Sequence, residues 1–351
     1  MRRAEIVAWG QPLEIHEYPT PEPTGTEVLV RVTACGICHS DLHIHAGYFD
    51  LGGGRQIRIE ERGVKLPFTM GHEVVGRVER LGPEASGVEV GREYVVYPWI
   101  GCGRCEACQR GDELLCLKPR IIGTWVHGGY ADHVIVPHPR YLVPFDGIPR
   151  EVAATYACSG ITAWSALAKT GVARPDQTLL LIGVGGVGTN ALHLAPHAVP
   201  GRVIVADVDP AKRERALAAG AAAAFDPADP QAVRQVKEWT GGGCAAAIDF
   251  VGRPETAQFG LDCLVQKGGT LVVVGLYGDR LALPLPLLPL RILTLRGSYV
   301  GTLDDLKAVV RLAQAGKVPF IPVRTRPLEE VNAALADLAA GRVIGRQVLV
   351  P

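Results

Sequence analysis

The pattern of apolar and polar positions divides the 351-residue chain into two kinds of segment. Short β-branched runs, separated by glycine- and proline-rich turns, fill roughly the first 150 residues. They predict strands at 27–33, 74–79, 94–97 and 131–136. Their irregular spacing favours a small distorted β-barrel that carries functional loops over an evenly repeated sandwich.

The pattern changes near residue 150. An alanine-rich helical stretch, Glu151–Thr170, precedes Thr178–Ile182, a run that is apolar except for its first residue. Such a run is typical of a buried strand in a parallel sheet. Strand and helix patterns then alternate up to residue 297, which predicts a doubly wound α/β domain. The last 50 or so residues resume a mixed pattern, and we expect them to rejoin the first domain.

Composition and charge narrow the class of protein. The formal net charge is zero and no long basic run occurs, which argues against nucleic acid as a partner. No apolar segment reaches the length of about 18 residues that a membrane span needs. The start of the chain lacks the apolar core of a signal peptide, so we expect a cytoplasmic protein. Nine cysteines in a reducing compartment favour metal ligation.

Four of these cysteines lie within the segment 98–116, at the spacing C-x2-C-x2-C-x7-C. They are Cys102, Cys105, Cys108 and Cys116. The short gaps let neighbouring sulfurs turn inward, and the long gap lets the chain close a tetrahedron around one zinc ion. Four thiolates leave no open position, so such a site is structural. The alternatives are buried or disulfide-bonded cysteines and an iron–sulfur cluster.

A glycine-rich loop follows the apolar run directly and opens a helix pattern. Its residues are Gly183, Gly185, Gly186, Val187 and Gly188. In the G-x-G-x-x-G pattern the first glycine permits a tight turn, the second lets backbone approach a pyrophosphate, and the third lets helix pack on strand. The loop therefore predicts a dinucleotide site at a helix N-terminus.

Asp207 ends the next predicted strand, 19 residues beyond the last glycine. A carboxylate there accepts hydrogen bonds from the adenosine ribose and repels a 2′-phosphate, which favours NAD over NADP. Lys212 and Arg213 lie close enough to weaken that exclusion. Because a proline inside a helix costs about 3 kcal/mol, Pro196 predicts that the helix ends or kinks near Leu194.

Two further segments are rich in metal-binding and proton-transferring side chains. The segment 38–43 reads Cys-His-Ser-Asp-Leu-His, and the segment 71–73 reads Gly-His-Glu. Residue chemistry makes Cys38 and His72 good zinc ligands. It does not select the third ligand, for which the candidates are Cys35, Cys158, Glu73 and Asp41.

In these residues the chain resembles the zinc-dependent medium-chain alcohol dehydrogenases. The resemblance is carried by segments 36–43, 71–73 and 158–162, the four cysteines and the glycine loop. Segments 63–67, 136–138 and 345–351 look most like the thermophilic archaeal and bacterial NAD-dependent branch. The resemblance implies an α/β protein in three parts. These are a GroES-like β-barrel catalytic domain with the zinc lobe (1–159), a Rossmann NAD-binding domain (160–298) and a C-terminal return to the catalytic domain (299–351).

The same resemblance implies a second, catalytic zinc, held by Cys38, His72 and Cys158. Three protein ligands leave a fourth position for water, alcohol or aldehyde. Glu73 would bind the metal alternately, or else only support the ligands. Asp41 would accept a hydrogen bond from the other nitrogen of His72.

The resemblance also assigns a reaction, hydride transfer from an alcohol to NAD. Ser40 and His43 would relay the proton to solvent. Cofactor contacts are expected from His39, Thr162, Lys212, Val274, Leu276, Ser298, Val300 and, on a phosphate, Arg346. Trp99 would line the substrate pocket, with Phe49 and Trp125 as further candidates; their alternative role is barrel packing. An aromatic wall favours primary, secondary or aromatic alcohols.

Two other functions compete with this hypothesis. The same scaffold could act on a specialised substrate such as a polyol, an amino-alcohol or a cyclic hydroxyacyl-CoA. Sorbitol dehydrogenases generally carry Glu where Cys158 stands, which argues against a polyol. A non-catalytic NAD- and zinc-binding protein would not need Ser40 and His43. The resemblance further implies a homo-oligomer, tetramer or dimer, formed through the edge of the Rossmann sheet.

Overall fold

Strands dominate the first part of the computed structural model, which describes residues 1–351. In chain order they are β1 (Arg2–Ile6), β2 (Glu14–Glu17), β3 (Val28–Ile37), β4 (Tyr48–Asp50), β5 (Gln56–Arg58), β6 (Phe68–Thr69), β7 (Glu73–Leu81), β8 (Glu93–Val96), β9 (His133–Val136) and β10 (Leu142–Val143). The helices among them are α1 (His39–Ala46) and α2 (Glu106–Gln109), with 3₁₀ turns at Glu60–Arg62, Glu113–Leu115 and Pro139–Tyr141.

Strands and helices alternate in the remainder of the chain. The helix α3 (Arg150–Thr155) continues through a π-helical segment, Tyr156–Gly160, into α4 (Ile161–Leu167). Then come β11 (Thr178–Ile182), α5 (Gly186–Ala198), β12 (Arg202–Ala206), α6 (Pro210–Ala218), β13 (Ala224–Phe225), α7 (Ala232–Thr240), β14 (Ala246–Asp249), α8 (Pro254–Cys263), β15 (Thr270–Val273), α9 (Leu287–Arg291), β16 (Thr294–Gly297), α10 (Leu303–Gln314), β17 (Val323–Pro327), a 3₁₀ turn (Leu328–Glu330), α11 (Val331–Ala339) and β18 (Arg346–Val350). No helix has the length and apolar character that crossing a membrane requires.

The chain forms two units. The first contains Met1–Phe49, Ile57–Ile161 and Gly301–Pro351, so the C-terminal residues belong with the N-terminal ones. The second contains Thr162–Val300 together with Asp50–Gln56. No sequence pattern indicated that this short segment belongs to the second unit.

The first unit is built on a seven-stranded, mostly antiparallel sheet. Its strand order is β10-β8-β7-β3-β18-β17, with β9 also paired to β3, and a separate three-stranded sheet has the order β2-β1-β6. The central β3–β7 pair carries register irregularities between Leu29 and Val30 and between Val32 and Ala34. Such bulges bend the strand and increase its twist, which is how a short sheet curves toward a barrel.

The second unit is a six-stranded parallel sheet of order β13-β12-β11-β14-β15-β16. All five residues of β11 are buried, as the apolar run predicted. The order reverses at β11, and ligands of such sheets bind beyond the carboxyl ends of the strands at that reversal. Local sequence signals start the helices: at α6 the Asp209 carboxylate accepts a 2.9 Å hydrogen bond from the N–H of Ala211. Cys244 and Cys263 lie fully buried in the core of this unit.

Two predicted helices differ from the observed ones. Helix α5 does not end near Leu194 but runs through Pro196 to Ala198. Because Pro196 lies in the last turn, its missing N–H removes a bond only where the helix is about to end. The single helix predicted over 151–170 contains the π-helical segment Tyr156–Gly160, every residue of which is buried. π-helical turns are rare and often occur at functional sites.

Candidate metal centres and cofactor site

The buried metal centre forms at one end of the β3–β7 pair. Because the strands are antiparallel, the carboxyl end of β3 lies beside the amino end of β7, and Gly36 is the register partner of Glu73. Cys38 follows β3 directly, and His72 precedes β7. A Cβ on Gly36 would overlap the Glu73 carboxylate, so the strands can approach this closely only with glycine there.

The π-helical segment delivers Cys158 to the same place. The ligand atoms of Cys38, His72, Glu73 and Cys158 all lie within 4.8 Å of one another, and all four residues are buried. The two sulfurs are 3.8 Å apart. Thiolates at roughly 2.3 Å from a tetrahedral metal are separated by about 3.8 Å, so this spacing fits one zinc ion. Cys35 is fully buried but is not part of the group.

His72 has unused hydrogen-bonding capacity that fits a metal ligand. The ring is fully buried, and neither of its nitrogens has a hydrogen-bond partner. Its Nδ1 lies 3.3 Å from Oδ1 of Asp41, an ion-pair distance without hydrogen-bond alignment. Burial by itself lowers the pKa of His72, but Asp41 and then Cys38 raise it well above the usual value. Buried polar atoms are rarely left unpaired, so a ligand is expected at the nitrogen that faces away from Asp41.

The two buried thiols, Cys38 and Cys158, shift each other's pKa in opposite directions. The hydrogen bond with Cys158 is the main cause that lowers the pKa of Cys38 well below its usual value. The same interaction and burial raise the pKa of Cys158 well above it. These opposite directions favour one thiolate and one thiol in the metal-free pair, and a bound divalent cation would favour two thiolates.

Arg346 and Glu73 form an ion pair inside this centre. Arg346 opens β18, is buried, and donates from Nη2 to Oε1 of Glu73. The other oxygen of Glu73, Oε2, has no partner. Burial is the largest influence on Glu73 and raises its pKa to about 7, against the opposing effect of Arg346. The roles expected from the resemblance, a phosphate contact for Arg346 and alternate metal binding for Glu73, stay predictions.

Helix α1 carries the expected proton relay. Ser40 lies in its first turn, His39 precedes Ser40, and His43 follows one turn later. The rings of His39 and His43 meet edge to face with centroids 5.8 Å apart. Partial burial, and then the neighbouring His39, lower the pKa of His43. A neutral imidazole at this place can accept a proton.

The three aromatic pocket candidates have different surroundings. Trp99 packs against the ring of His72, with centroids 5.4 Å apart, and its Nε1–H donates to the carbonyl of Ala157. Phe49 stacks on His43 at 5.2 Å. The guanidinium of Arg62 lies 5.9 Å from the Phe49 ring and 5.8 Å from the Trp125 ring. The structure thus brings Trp99 directly to a candidate metal ligand.

The segment 98–116, called here the cysteine lobe, forms the second candidate metal centre. Its sulfurs lie 3.5 Å apart for Cys105–Cys108, 3.8 Å for Cys105–Cys116 and 4.0 Å for Cys102–Cys108. All nine cysteines of the chain are free, so the disulfide alternative is excluded. The spacings bracket the edge of about 3.8 Å expected for four thiolates around one zinc.

Electrostatics in the lobe also favour a cation. Backbone N–H groups of Arg104 and Cys105 lower the pKa of Cys102 to about 6. Burial raises the pKa of Cys108 to about 12. Four thiolates therefore do not coexist near pH 7 without a bound cation. Glu113 attaches the lobe to the barrel: it accepts hydrogen bonds from the N–H of Gly101 (2.7 Å) and the hydroxyl of Tyr141 (2.9 Å).

The glycine loop of the second unit has the shape of a phosphate cradle. Gly183 has φ +85° and donates its N–H to the carbonyl of Ala206. A Cβ on Gly188 would overlap the Gly183 carbonyl, so α5 can pack this closely only with glycine. A Cβ on Gly185 would meet nothing within 4 Å, which leaves its backbone open to a ligand. Gly186 and Val187 form the first turn of α5.

Asp207 reaches this cradle from the carboxyl end of β12. Its Oδ2 accepts a 2.9 Å hydrogen bond from the N–H of Val184, and Oδ1 accepts one from the N–H of Asp209. Lys212 lies nearby in the first turn of α6 and is half-buried. The acid and the glycine loop, 23 residues apart in sequence, are therefore in direct contact.

Five other expected cofactor residues lie at strand ends of the parallel sheet or at the start of α4, whereas His39 begins α1 and Arg346 begins β18. Val274 and Leu276 follow β15, and Ser298 and Val300 follow β16. Val300 has φ +38°, a rare conformation for a β-branched residue and one that marks functional strain in many proteins. Thr162 keeps a buried hydroxyl with no hydrogen-bond partner.

Two residues that contact candidate site residues were not identified from the sequence. Lys169 donates hydrogen bonds of 2.8 Å to Ser165 and to Ser298. Tyr130 donates one of 2.8 Å to Asp41, although 89 residues separate them. Neither residue lies in a motif, so no local pattern could have marked them.

Known proteins match parts of both units of the chain. The family model "Alcohol dehydrogenase GroES-like domain" matches residues 24–148, and "Zinc-binding dehydrogenase" matches residues 186–315. An NAD-dependent alcohol dehydrogenase of Saccharolobus solfataricus is 39% identical over the full length of both chains. A D-arabinose 1-dehydrogenase (NADP(+)) of the same organism is 30% identical, covering 100% of this chain and 97% of its own.

A solved structure has the same architecture. The crystal structure of an alcohol dehydrogenase from Aeropyrum pernix superimposes with a TM-score of 0.90 at 33% identity, covering 100% of both chains. Both the sequence matches and the fold match extend over both units of the chain, so neither half is an unrelated addition. This chain belongs to the zinc-dependent medium-chain alcohol dehydrogenase family, with a GroES-like domain and a Rossmann-type parallel sheet.

Proposed function

We propose that this protein is an NAD-dependent zinc alcohol dehydrogenase that interconverts a primary or secondary alcohol and its aldehyde or ketone. The observation that carries the proposal is the buried group Cys38, His72 and Cys158. Its sulfurs have the spacing of a single tetrahedral metal, and Nε2 of the imidazole has no hydrogen-bond partner. Three such ligands leave one position for substrate, which is the mark of a catalytic zinc.

The residues around this group have different roles in the proposed reaction. When bound, zinc acts as a Lewis acid on the substrate hydroxyl, and NAD accepts the hydride. Asp41 orients His72 through Nδ1. Ser40 receives the substrate proton and His43 passes it to solvent, since its lowered pKa keeps the imidazole neutral near pH 7. Trp99, packed against His72, forms part of the substrate wall.

A second zinc has a structural role in this proposal. Cys102, Cys105, Cys108 and Cys116 complete a four-thiolate site with no position for substrate. The sulfur spacings and the divergent pKa values of Cys102 and Cys108 support it. Two zinc ions per chain are therefore expected.

The cofactor lies along the carboxyl ends of the parallel strands in this proposal. Gly183–Gly188 would hold its pyrophosphate, and Asp207 would accept hydrogen bonds from the adenosine ribose, which favours NAD. The remaining contacts come from His39, Thr162, Lys212, Val274, Leu276, Ser298, Val300 and Arg346. The buried unbonded hydroxyl of Thr162 and the strained backbone of Val300 support two of them.

The wider organisation belongs to the same proposal. We place the domain boundaries at 1–159, 160–298 and 299–351 and the protein in the cytoplasm. The protein would form a homotetramer or dimer through the outer strand of the parallel sheet. All four residues of that strand, β16, are exposed, and such an edge pairs readily with a second copy.

A specialised substrate is the second candidate. The 30% identical relative is named for D-arabinose and NADP(+), so this scaffold accommodates carbohydrate dehydrogenation. Cys158 and the aromatic Trp99 in this chain favour a less polar alcohol.

Metal analysis combined with an activity panel tests these proposals. Purified protein is analysed for zinc and then assayed with NAD and with NADP on 1-butanol, cyclohexanol, benzyl alcohol, sorbitol and D-arabinose. We expect two zinc ions per chain and faster turnover of the simple alcohols with NAD. Turnover of D-arabinose alone would favour the second candidate, and zinc and NAD binding without any turnover would mean that the protein is not a dehydrogenase.

A further inference from the structure

Tyr130 is a fully buried tyrosine whose hydroxyl has one protein partner. The hydroxyl donates a 2.8 Å hydrogen bond to Oδ2 of Asp41, and both side chains are completely shielded from solvent. Burial, and then the charge of Asp41, raise the pKa of Tyr130 well above its usual value. The phenol therefore stays protonated and acts as a permanent donor.

The two oxygens of Asp41 are used differently. Oδ2 accepts the Tyr130 hydroxyl and also the backbone N–H of Cys38, each at 2.8 Å. Oδ1 is left facing Nδ1 of His72 at 3.3 Å. A carboxylate held at one oxygen by two donors cannot rotate freely, so its second oxygen stays directed at the imidazole.

Backbone pairing holds Tyr130 beside the same histidine. The segment 128–130 donates three backbone N–H hydrogen bonds of 2.8–3.0 Å to carbonyls of the segment 69–71. That second segment ends directly before His72. Tyr130 is thus connected to His72 twice, once through the backbone and once through Asp41.

We propose that Tyr130 is a positioning residue for the buried metal centre, which holds Asp41 so that the His72 proton stays on Nδ1 and Nε2 remains available to zinc. The inference rests on the proposed function, since it requires that His72 binds zinc. A hydrogen bond to the far nitrogen of a histidine ligand sets its tautomer and its basicity. Tyr130 acts one contact further out, by fixing the carboxylate that faces Nδ1 of His72 at 3.3 Å.

The rate of zinc release tests this role. Tyr130→Phe keeps the ring and removes only the hydroxyl. Zinc-loaded wild-type and variant proteins are mixed with the chromogenic chelator 4-(2-pyridylazo)resorcinol, and zinc release is followed by absorbance. A Cys38→Ser protein, which lacks the buried centre, identifies the phase that comes from the cysteine lobe. We expect about tenfold faster release from the buried centre, the lower end of the range for groups that support histidine ligands, and an unchanged lobe phase.

Tyr97→Phe is the matched control. Tyr97 is also buried, and its hydroxyl donates a 2.9 Å hydrogen bond to the carbonyl of Gly301. This variant loses a buried hydrogen bond of similar length that goes to Gly301 and not to Asp41, so its zinc release should match that of the wild type. Equal acceleration in both variants would overturn the proposal, because general loosening would then explain it.

A double-mutant comparison adds a second condition. In an Asp41→Asn background, Tyr130→Phe should add no further acceleration, because its effect passes through Asp41. Fully additive effects would contradict that path.

If Tyr130→Phe does not fold, Asp41→Asn alone breaks the same connection from the other end and should accelerate zinc release. Unchanged release in that variant would overturn the proposal. Wild-type protein that binds no zinc at the buried centre would contradict the proposed function itself.

Discussion

The two metal centres of this chain are built in opposite ways. The four sulfurs of the cysteine lobe come from 15 consecutive residues, whereas 120 residues separate Cys38 from Cys158 in the buried centre. Three of the four lobe cysteines are partly exposed, while every member of the buried group is shielded from solvent. A local loop can arrange a closed metal site by itself. A site with an open position needs walls, supporting hydrogen bonds and a fixed charge balance, which only distant parts of the chain can supply.

The two centres also differ in the charged groups that surround them. The lobe thiols contact mainly backbone N–H groups and one another. The buried centre includes Asp41, Glu73 and Arg346, none of which is exposed. We therefore expect substitutions in the lobe to change stability and substitutions in the buried centre to change the reaction.

Cys38→Ser should abolish most activity with little effect on folding. Loss of a ligand removes the metal that acts on the substrate hydroxyl, a contribution of several kcal/mol, so kcat/KM should fall about 1000-fold. Metal analysis should show one zinc fewer per chain, and the melting temperature should stay within a few degrees of wild type. A variant that keeps more than a tenth of the activity would remove the distinction between the centres.

Cys105→Ser should have the converse effect. Without a closed metal site the loop loses its main cross-link, and a loss of about 3 kcal/mol lowers the melting temperature by roughly 10 °C. The kcat of the protein that remains folded should change less than twofold. Cys244→Ala, a buried cysteine outside both centres, is the control and should keep full zinc content. A large loss of kcat with unchanged melting temperature would mean that the roles of the two centres are reversed.

Ser40→Ala tests whether the buried centre does more than hold metal. Removing the hydroxyl interrupts proton transfer, and kcat should fall about 30-fold, less than for a direct general base, since water can partly replace it. Both zinc ions and the melting temperature should be retained. Full kcat in this variant would rule out the relay.

His43→Gln should change the pH dependence of the reaction more than its maximum rate. Because partial burial and His39 lower the pKa of His43, wild-type alcohol oxidation should decline only as pH falls below the usual histidine value of 6.5. In the protonated form His43 can no longer accept a proton. The variant should lose about fivefold in kcat near pH 8 and lack this acidic decline. A wild-type profile in the variant would place proton release elsewhere.

Local sequence signals were sufficient for much of the fold. The apolar run at β11, the glycine loop and Asp207 lie in the structure where the pattern placed them. Each of these signals depends on neighbours within a few residues, or on a repeated strand–helix unit, so it can be read without tertiary information. The four cysteines of the lobe were likewise identified from their spacing along the sequence.

Features that depend on contacts between residues far apart in the sequence were missed or left undecided. The pattern of residues 151–170 predicted a continuous helix, but the chain forms a π-helical segment that carries Cys158 to the metal centre. The ion pair between Arg346 and Glu73 spans 273 residues, and the family resemblance implied only a phosphate contact for the arginine. Tyr130 could not be identified from the sequence, because its role depends on its hydrogen bond to Oδ2 of Asp41, which lies 89 residues away.

The sequence by itself determined the two architectures, the dinucleotide loop and the closed cysteine site, since these follow from spacing and periodicity along neighbouring residues. It left four candidates for the third ligand of the buried centre. The family resemblance implied Cys158 for that position, and the tertiary structure groups Cys158 and Glu73 with Cys38 and His72 and leaves Cys35 in the core. The physical reason is the antiparallel pairing of β3 with β7 and the extra turn at Tyr156–Gly160, which place ligand atoms from distant segments within one coordination sphere.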